Sequence, residues 1–287
     1  MPTEVRPLHP LFGMELSADL AACDTGQAAA IETAIGSAGM LLFRNVALGD
    51  AGLIRFADHF GPLQKGRSLQ GADPRITRLT NMGPDGSMRD VDDGARRLFD
   101  ANRLWHVDNS FTVPGVTYSF LYAVEVPDSG GDTEFCDNRA TWDALDAERR
   151  AMLAPLTADH SFDHSCRLVG FDFAAYSGAT RPPIRRDLVR RHAPSGRDTL
   201  FIASHVERIE GHDGPAGQAL VDELIAFATV PERVYRHRWR AGDLLIWDNR
   251  CMMHRATDYP QFEQPRDLRS TRIVDLADDG VALEMAA

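Results

Sequence analysis

The strand-forming segments of this chain are short, widely separated and bounded by turn residues, and that pattern limits the fold more than any other feature. Met40-Leu41-Leu42-Phe43 and the stretches 76–80, 118–126, 200–202, 234–239, 244–247 and 270–274 each read as a strand. Gly61-Pro62, Ser129-Gly130-Gly131-Asp132 and Ala241-Gly242-Asp243 supply stops and turns between them. Helical patterns intervene at 18–38, 49–60, 139–155 and 215–229. Short strands with a few helices predict a mainly β protein, a β-sandwich or jelly roll decorated by helices. Two stretches rich in Gly, Asp, Arg and Pro, 83–101 and 166–198, read as long loops, and loops of that length are usually functional or disordered.

Charge narrows the choice of partner. The formal net charge is -11 and the pI about 5.3. Such a surface repels phosphate backbones, so a nucleic-acid partner is not expected. An acidic small molecule would need cations of its own inside the binding site. Cys23, Cys136, Cys166 and Cys251 are scattered, with no C-x-x-C pair, and suit neither a zinc site nor a disulfide framework. No basic-then-apolar leader and no long apolar run is seen, so the expectation is a cytoplasmic protein with no membrane association.

Two histidines and one aspartate carry the chemistry. In Leu104-Trp105-His106-Val107-Asp108-Asn109, an extended backbone would point His106 and Asp108 to one face, side by side. A third ligand must come from elsewhere, and His254 follows a strand and turn that could place it opposite them. Two imidazoles and one carboxylate on one face of an octahedron leave three positions open, the facial triad of non-haem Fe(II) oxygenases. Zinc would prefer a tetrahedral site with one open position, and the residues alone do not choose the metal.

Further features follow in a fixed order: Gly130-Gly131-Asp132-Thr133, the run Trp247-Asp248-Asn249-Arg250-Cys251 before His254, then Arg266 and Arg272. With these the chain resembles the taurine / 2,4-dichlorophenoxyacetate dioxygenase family of Fe(II)/2-oxoglutarate oxygenases, closest in flavour to the phenoxyalkanoate branch. The resemblance runs from Met40-Leu41-Leu42-Phe43 and Phe60-Gly61-Pro62-Leu63 to Arg272-Ile273. It implies a double-stranded β-helix (jelly roll) in one domain spanning 1–287, with 83–101 and 166–198 as active-site loops. It implies His106, Asp108 and His254 as iron ligands, with 2-oxoglutarate and O2 as co-substrates. Thr133 matches the residue that bonds the distal carboxylate of 2-oxoglutarate. A C-terminal arginine serves the same carboxylate, because guanidinium grips it in a two-pronged fork. Arg266 has the usual offset from the distal histidine, Arg272 shares its parity, and the choice between them stays open.

The expected reaction hydroxylates, or cleaves after hydroxylation, a small and carboxylate-bearing organic substrate, releasing succinate and CO2. Asn81, Trp105 and Phe111 are the candidate substrate-lining residues, and the Arg-rich run 181–191 reads as a solvated face. Where the phenoxyalkanoate branch carries an Arg-His pair, this chain has Ser204-His205. The family's habits allow a homo-oligomer. The competing readings are a zinc-dependent hydrolase on the same triad and a non-catalytic jelly-roll ligand sensor.

Overall fold

The structure, a computed structural model, describes residues 5–66, 73–90, 98–212 and 214–283. Its strands are β1 (Val5–Pro7), β2 (Met14–Leu16), β3 (Met40–Phe43), β4 (Thr77–Thr80), β5 (Val116–Glu125), β6 (Thr133–Asp137), β7 (Thr157–His160), β8 (Ile184–Asp187), β9 (Val189–His192), β10 (Arg197–Leu200), β11 (Val206–Ile209), β12 (Tyr235–His237), β13 (Leu244–Asp248), β14 (Met252–Ala256), β15 (Asp267–Val274) and β16 (Val281–Ala282). The helices that matter for packing are α1 (Thr25–Ala38) and α2 (Asp50–Ala57). A seven-stranded sheet runs β1-β2-β3-β13-β5-β15-β4 and shares a core with a smaller sheet ordered β12-β6-β14; further sheets are ordered β11-β7-β8-β16 and β10-β9. This is the expected mainly β, jelly-roll architecture.

Period-two alternation explains the large sheet. On β13, Leu244 and Ile246 join the core under α1 and α2, with Leu41, Phe43, Ile35 and Phe56. The alternate residues, Leu245 and Trp247, join Met40, Leu42, Leu121 and Phe135 between the sheets. Both faces of β3 and β13 are therefore covered, which is why Met40-Leu41-Leu42-Phe43 is apolar throughout. Each large apolar side chain so buried contributes about 1.5–3 kcal/mol. The inner core ends where the strands turn polar, and the candidate site begins there.

Several boundaries differ from the sequence reading. The first helix starts at Thr25, not 18, because Asp24 and Gln27 close a capping box. The stretch 139–155 breaks into helices Asn138–Asp143 and Ala147–Leu153, the second capped by Asp146. The stretch 166–198 is no loop: it holds the end of helix Phe162–Leu168, helix Phe173–Ser177, and β8, β9 and the start of β10. The strand read at 200–202 ends at Leu200. Nor is 181–191 a solvated face throughout, since Arg186 is buried against Asp278. Of the loop read at 83–101, residues 91–97 lie outside the described residues, and a 3-10 turn occupies Leu98–Arg103.

Candidate metal centre and cavity

One short backbone bridge brings the distant motifs together. His106 and His254 exchange both amide bonds, each N–H donating to the other's carbonyl at 2.9 Å. The His106 segment thus lies along the edge of β14, and the next turn sets Asp108 between the two rings. Asp108 Oδ1 stands 3.9 Å from His106 Nε2 and 3.9 Å from His254 Nε2. The three ligand atoms all lie within 4.8 Å of one another. An ion about 2 Å from each would fit such a triangle.

The partners of Asp108 fix which oxygen faces the histidines. Its Oδ2 accepts from Ser119 Oγ at 2.6 Å and from Arg272 Nε at 3.1 Å. Asn249 braces the same group: its Nδ2 donates to Ser119 Oγ at 2.8 Å, and its Oδ1 accepts from the Asp108 N–H at 3.3 Å. Burial alone would raise the carboxyl's pKa, but Arg272, the two imidazoles and Ser119 outweigh it and hold Asp108 well below the usual carboxylate range. Burial depresses both His106 and His254, which favours the neutral, ligating imidazole.

The two rings are oriented by different means. His106 Nδ1 lies 2.8 Å from the Leu104 carbonyl, so Nδ1 carries the hydrogen and Nε2 keeps its lone pair. His254 is held by packing, stacked on Phe135 and tilted against Trp247 at 4.6 Å, and its buried Nδ1 has no hydrogen-bond partner among the described residues.

The triad opens into a cavity of about 890 Å³, its mouth included. Thr133, Arg266 and Arg272 line the same cavity, and Asn81, Arg103 and Tyr259 border it further out. Thr133 Oγ1 accepts from Trp239 Nε1 at 3.0 Å, leaving its own hydrogen to donate elsewhere. Arg266 is half-buried in the wall, its guanidinium 5.8 Å from the Tyr259 ring and its Nε 3.3 Å from the Gly131 carbonyl. Burial lowers its pKa to about 10, and among the described residues no carboxylate lies within ion-pair distance of it. A guanidinium desolvated without a counter-charge is a place for an anionic ligand.

Of the candidate substrate residues, only Asn81 borders this cavity. Trp105 is buried beneath Arg255, whose guanidinium sits 4.9 Å from its ring. Phe111 packs 4.7 Å from His205 and 4.8 Å from Phe162. Ser119 was missed altogether. Its signal was a serine on the inner face of an aromatic-rich strand, where Leu121 and Ala123 follow at the same parity.

A profile of the taurine catabolism dioxygenase TauD, TfdA family matches residues 4–272. The chain belongs to the TauD/TfdA family. This dioxygenase is 40% identical over 286 residues to the alpha-ketoglutarate-dependent 2,4-dichlorophenoxyacetate dioxygenase of Cupriavidus pinatubonensis, covering 96% of this chain and 99% of the relative. It is 31% identical to a (S)-phenoxypropionate/alpha-ketoglutarate-dioxygenase of Sphingobium herbicidovorans, covering 94% and 92%. Among solved structures it is similar to AAD-2 in complex with Mn(II) and N-oxalylglycine, with 32% identity, a TM-score of 0.90, and coverage of 96% and 98%. The dioxygenase is accordingly an Fe(II)- and 2-oxoglutarate-dependent oxygenase acting on a small molecule with release of succinate and CO2. No helix among its described residues is long and apolar enough to cross a membrane.

Proposed function

We propose that His106, Asp108 and His254 hold the iron and that Arg266, with Thr133, holds the distal carboxylate of 2-oxoglutarate. One observation carries this reading: Arg266, lacking any carboxylate partner among the described residues, lines the same cavity as the three clustered ligands. Arg272 has a different task. Its Nε donates to Asp108 Oδ2, so with Ser119 it turns Oδ1 toward the histidines. The hydrolase and sensor readings leave Arg266 and Thr133 without work.

Iron(II), when bound, supplies the oxidative chemistry that turns 2-oxoglutarate, O2 and a C–H bond into succinate, CO2 and a C–OH group. The chain's residues position and neutralise. Buried neutral imidazoles keep their lone pairs for the metal, and Thr133 offers its hydroxyl hydrogen to the carboxylate. No general base is needed at the carbon. Where that carbon also bears an ether oxygen, the hydroxylated product falls apart into an alcohol or phenol and a carbonyl compound.

The substrate we infer is a small organic acid of the aryloxyalkanoate kind, as in the names of the relatives. The acid group would meet Arg103, the lining guanidinium left over once Arg266 and Arg272 are assigned. Arg103 pairs with Asp258, which is 82% exposed, and reaches Asp100 at 3.9 Å. Exposed pairs of this kind contribute about 0–1 kcal/mol, so a substrate carboxylate can replace them at little cost. A cytoplasmic location fits the four free thiols. The test is turnover by protein purified without oxygen, then given Fe(II), 2-oxoglutarate, air and a panel of 2,4-dichlorophenoxyacetate, both phenoxypropionate enantiomers and unrelated short acids. We expect succinate in step with loss of an aryloxy acid. Succinate coupled only to acids without the aryl ether would refute the substrate class, and no succinate with any acid would refute the reaction.

A further inference from the structure

The carboxamide of Asn81 borders the cavity, yet its strong bonds run to the protein. Its Nδ2 donates to the Gln261 carbonyl at 2.7 Å and to the Gln264 carbonyl at 2.8 Å. Its Oδ1 accepts from the Arg266 N–H at 2.8 Å. The backbones meet as well, the Asn81 N–H donating to the Arg266 carbonyl at 3.3 Å. Both amide hydrogens are thus spent on one connection, 257–266, which links β14 to β15 and ends at Arg266. An aspartate could not donate to the two carbonyls, and a serine could not reach all three groups.

The same connection is supported from its other side by the Gly130-Gly131 turn. Both glycines are left-handed, with φ of 73° and 64°. A Cβ on Gly130 would collide with the Asp258 carbonyl oxygen, and one on Gly131 would stand 3.3 Å from Arg266 Nε. Gln264 Oε1 also accepts from the Asp128 N–H at 2.8 Å. Between these supports the backbone of Arg266 has little freedom. A guanidinium fork needs such a fixed base, since a displacement of about 1 Å is enough to lose a two-pronged contact.

We propose that Asn81 is a positioning residue for the 2-oxoglutarate anchor: by pinning 257–266 it sets Arg266, and it discriminates in favour of 2-oxo acids that carry a second carboxylate. This rests on the assignment of Arg266 made above. It moves Asn81 from substrate contact to co-substrate selection.

The experiment is calorimetric titration of the full chain loaded with Mn(II), using N-oxalylglycine and, separately, 2-oxopentanoate, which lacks the distal carboxylate. Asn81→Ala is expected to weaken N-oxalylglycine at least tenfold while changing 2-oxopentanoate and Mn(II) binding less than twofold. In an Arg266→Leu background, Asn81→Ala should have no further effect. Equal losses for both ligands, or additive losses in the double variant, overturn the proposal. Undiminished N-oxalylglycine binding by Arg266→Leu alone would instead overturn the Arg266 assignment beneath it. Should Asn81→Ala not fold, Asn81→Ser carries the same comparison.

Discussion

Among the described residues, two clusters would pass as metal sites on spacing alone. His106, Asp108 and His254 form one, and His192, Asp248 and Cys251 form the other, each with its ligand atoms within 4.8 Å of one another. They differ in what the lone pairs are doing. In the second cluster Asp248 Oδ2 accepts from His192 Nε2 at 3.0 Å and from Arg250 Nη2 at 2.6 Å, and Oδ1 accepts from Arg250 Nε at 2.9 Å. His192 Nδ1 lies 2.6 Å from Ser195 Oγ, and burial pushes the Cys251 thiol well up, away from the thiolate that binds metals. The first cluster leaves Asp108 Oδ1 and two Nε2 atoms facing a cavity. Proximity makes a cluster; unspent lone pairs aimed at common space make a site.

The sharpest way to break this comparison is to neutralise one carboxylate from each cluster. Asp108→Ala should abolish coupled turnover, a loss of at least a thousandfold, and remove stoichiometric Mn(II) binding; it also leaves Arg272 without its carboxylate and should lower the melting temperature of the metal-free protein. Asp248→Asn should lower the melting temperature while leaving metal binding in place. It leaves Arg250 facing a neutral group and should destabilise the fold by about 3 kcal/mol, the low end for a broken buried pair because Arg250 keeps some exposure. Metal stoichiometry should stay at one per chain. Metal analysis and thermal melts on both variants decide the matter, and a second equivalent of metal lost in Asp248→Asn would erase the distinction drawn here.

A smaller effect tests the bracing of the open cluster. Ser119→Ala removes the 2.6 Å bond to Asp108 Oδ2 and frees Asn249 Nδ2. Groups that orient metal ligands cost roughly 10- to 100-fold in affinity or activity when removed. We expect about a tenfold rise in the Mn(II) dissociation constant, since Arg272 still holds Oδ2. An unchanged constant would mean that Arg272 alone positions the carboxylate.

Legibility in the sequence followed the physics of each region. Strands β5 and β13 could be read because apolar and aromatic side chains are what bury them, on both faces in β13. Strands β8 and β9 could not, because their regularity is electrostatic: Arg185 pairs with Asp159 at 2.8 Å, and Arg186 pairs with Asp278 from the far end of the chain. Such a stretch has the composition of a loop. Motif spacing brought out His106, Asp108 and His254, since i and i+2 on extended backbone share a face. Parity also grouped Arg266 with Arg272 and set Arg269 apart, and Arg269 does pair away from the cavity with Asp50. Parity carries no distances, however. Only the contact of Arg272 with Asp108, and its absence for Arg266, separates their tasks. Trp105 and Phe111 are candidates because they flank His106 and Asp108 in sequence, but Trp105 packs under Arg255 and Phe111, in the turn that follows Asp108, packs against His205 and Phe162.

The closed cluster makes one further prediction, read on the metal-free protein at low pH. Burial raises the pKa of Asp248, but hydrogen bonds from Arg250 and then His192 overcome it and hold the carboxyl at about 2, against an ordinary value of 3.8. A depressed carboxyl stabilises the fold at any pH above its unfolded pKa. That contribution shrinks as pH falls below about 4 and is gone once pH passes the folded value near 2. Its size is about 2 kcal/mol. Melting temperatures of metal-free protein between pH 5 and 2 should therefore fall more steeply for the parent than for Asp248→Asn, in which the titrating group is absent. The two curves should converge toward the acid end. Parallel curves over that interval would mean that Asp248 titrates alike in folded and unfolded chains, and that the closed cluster is held by packing rather than by its charge.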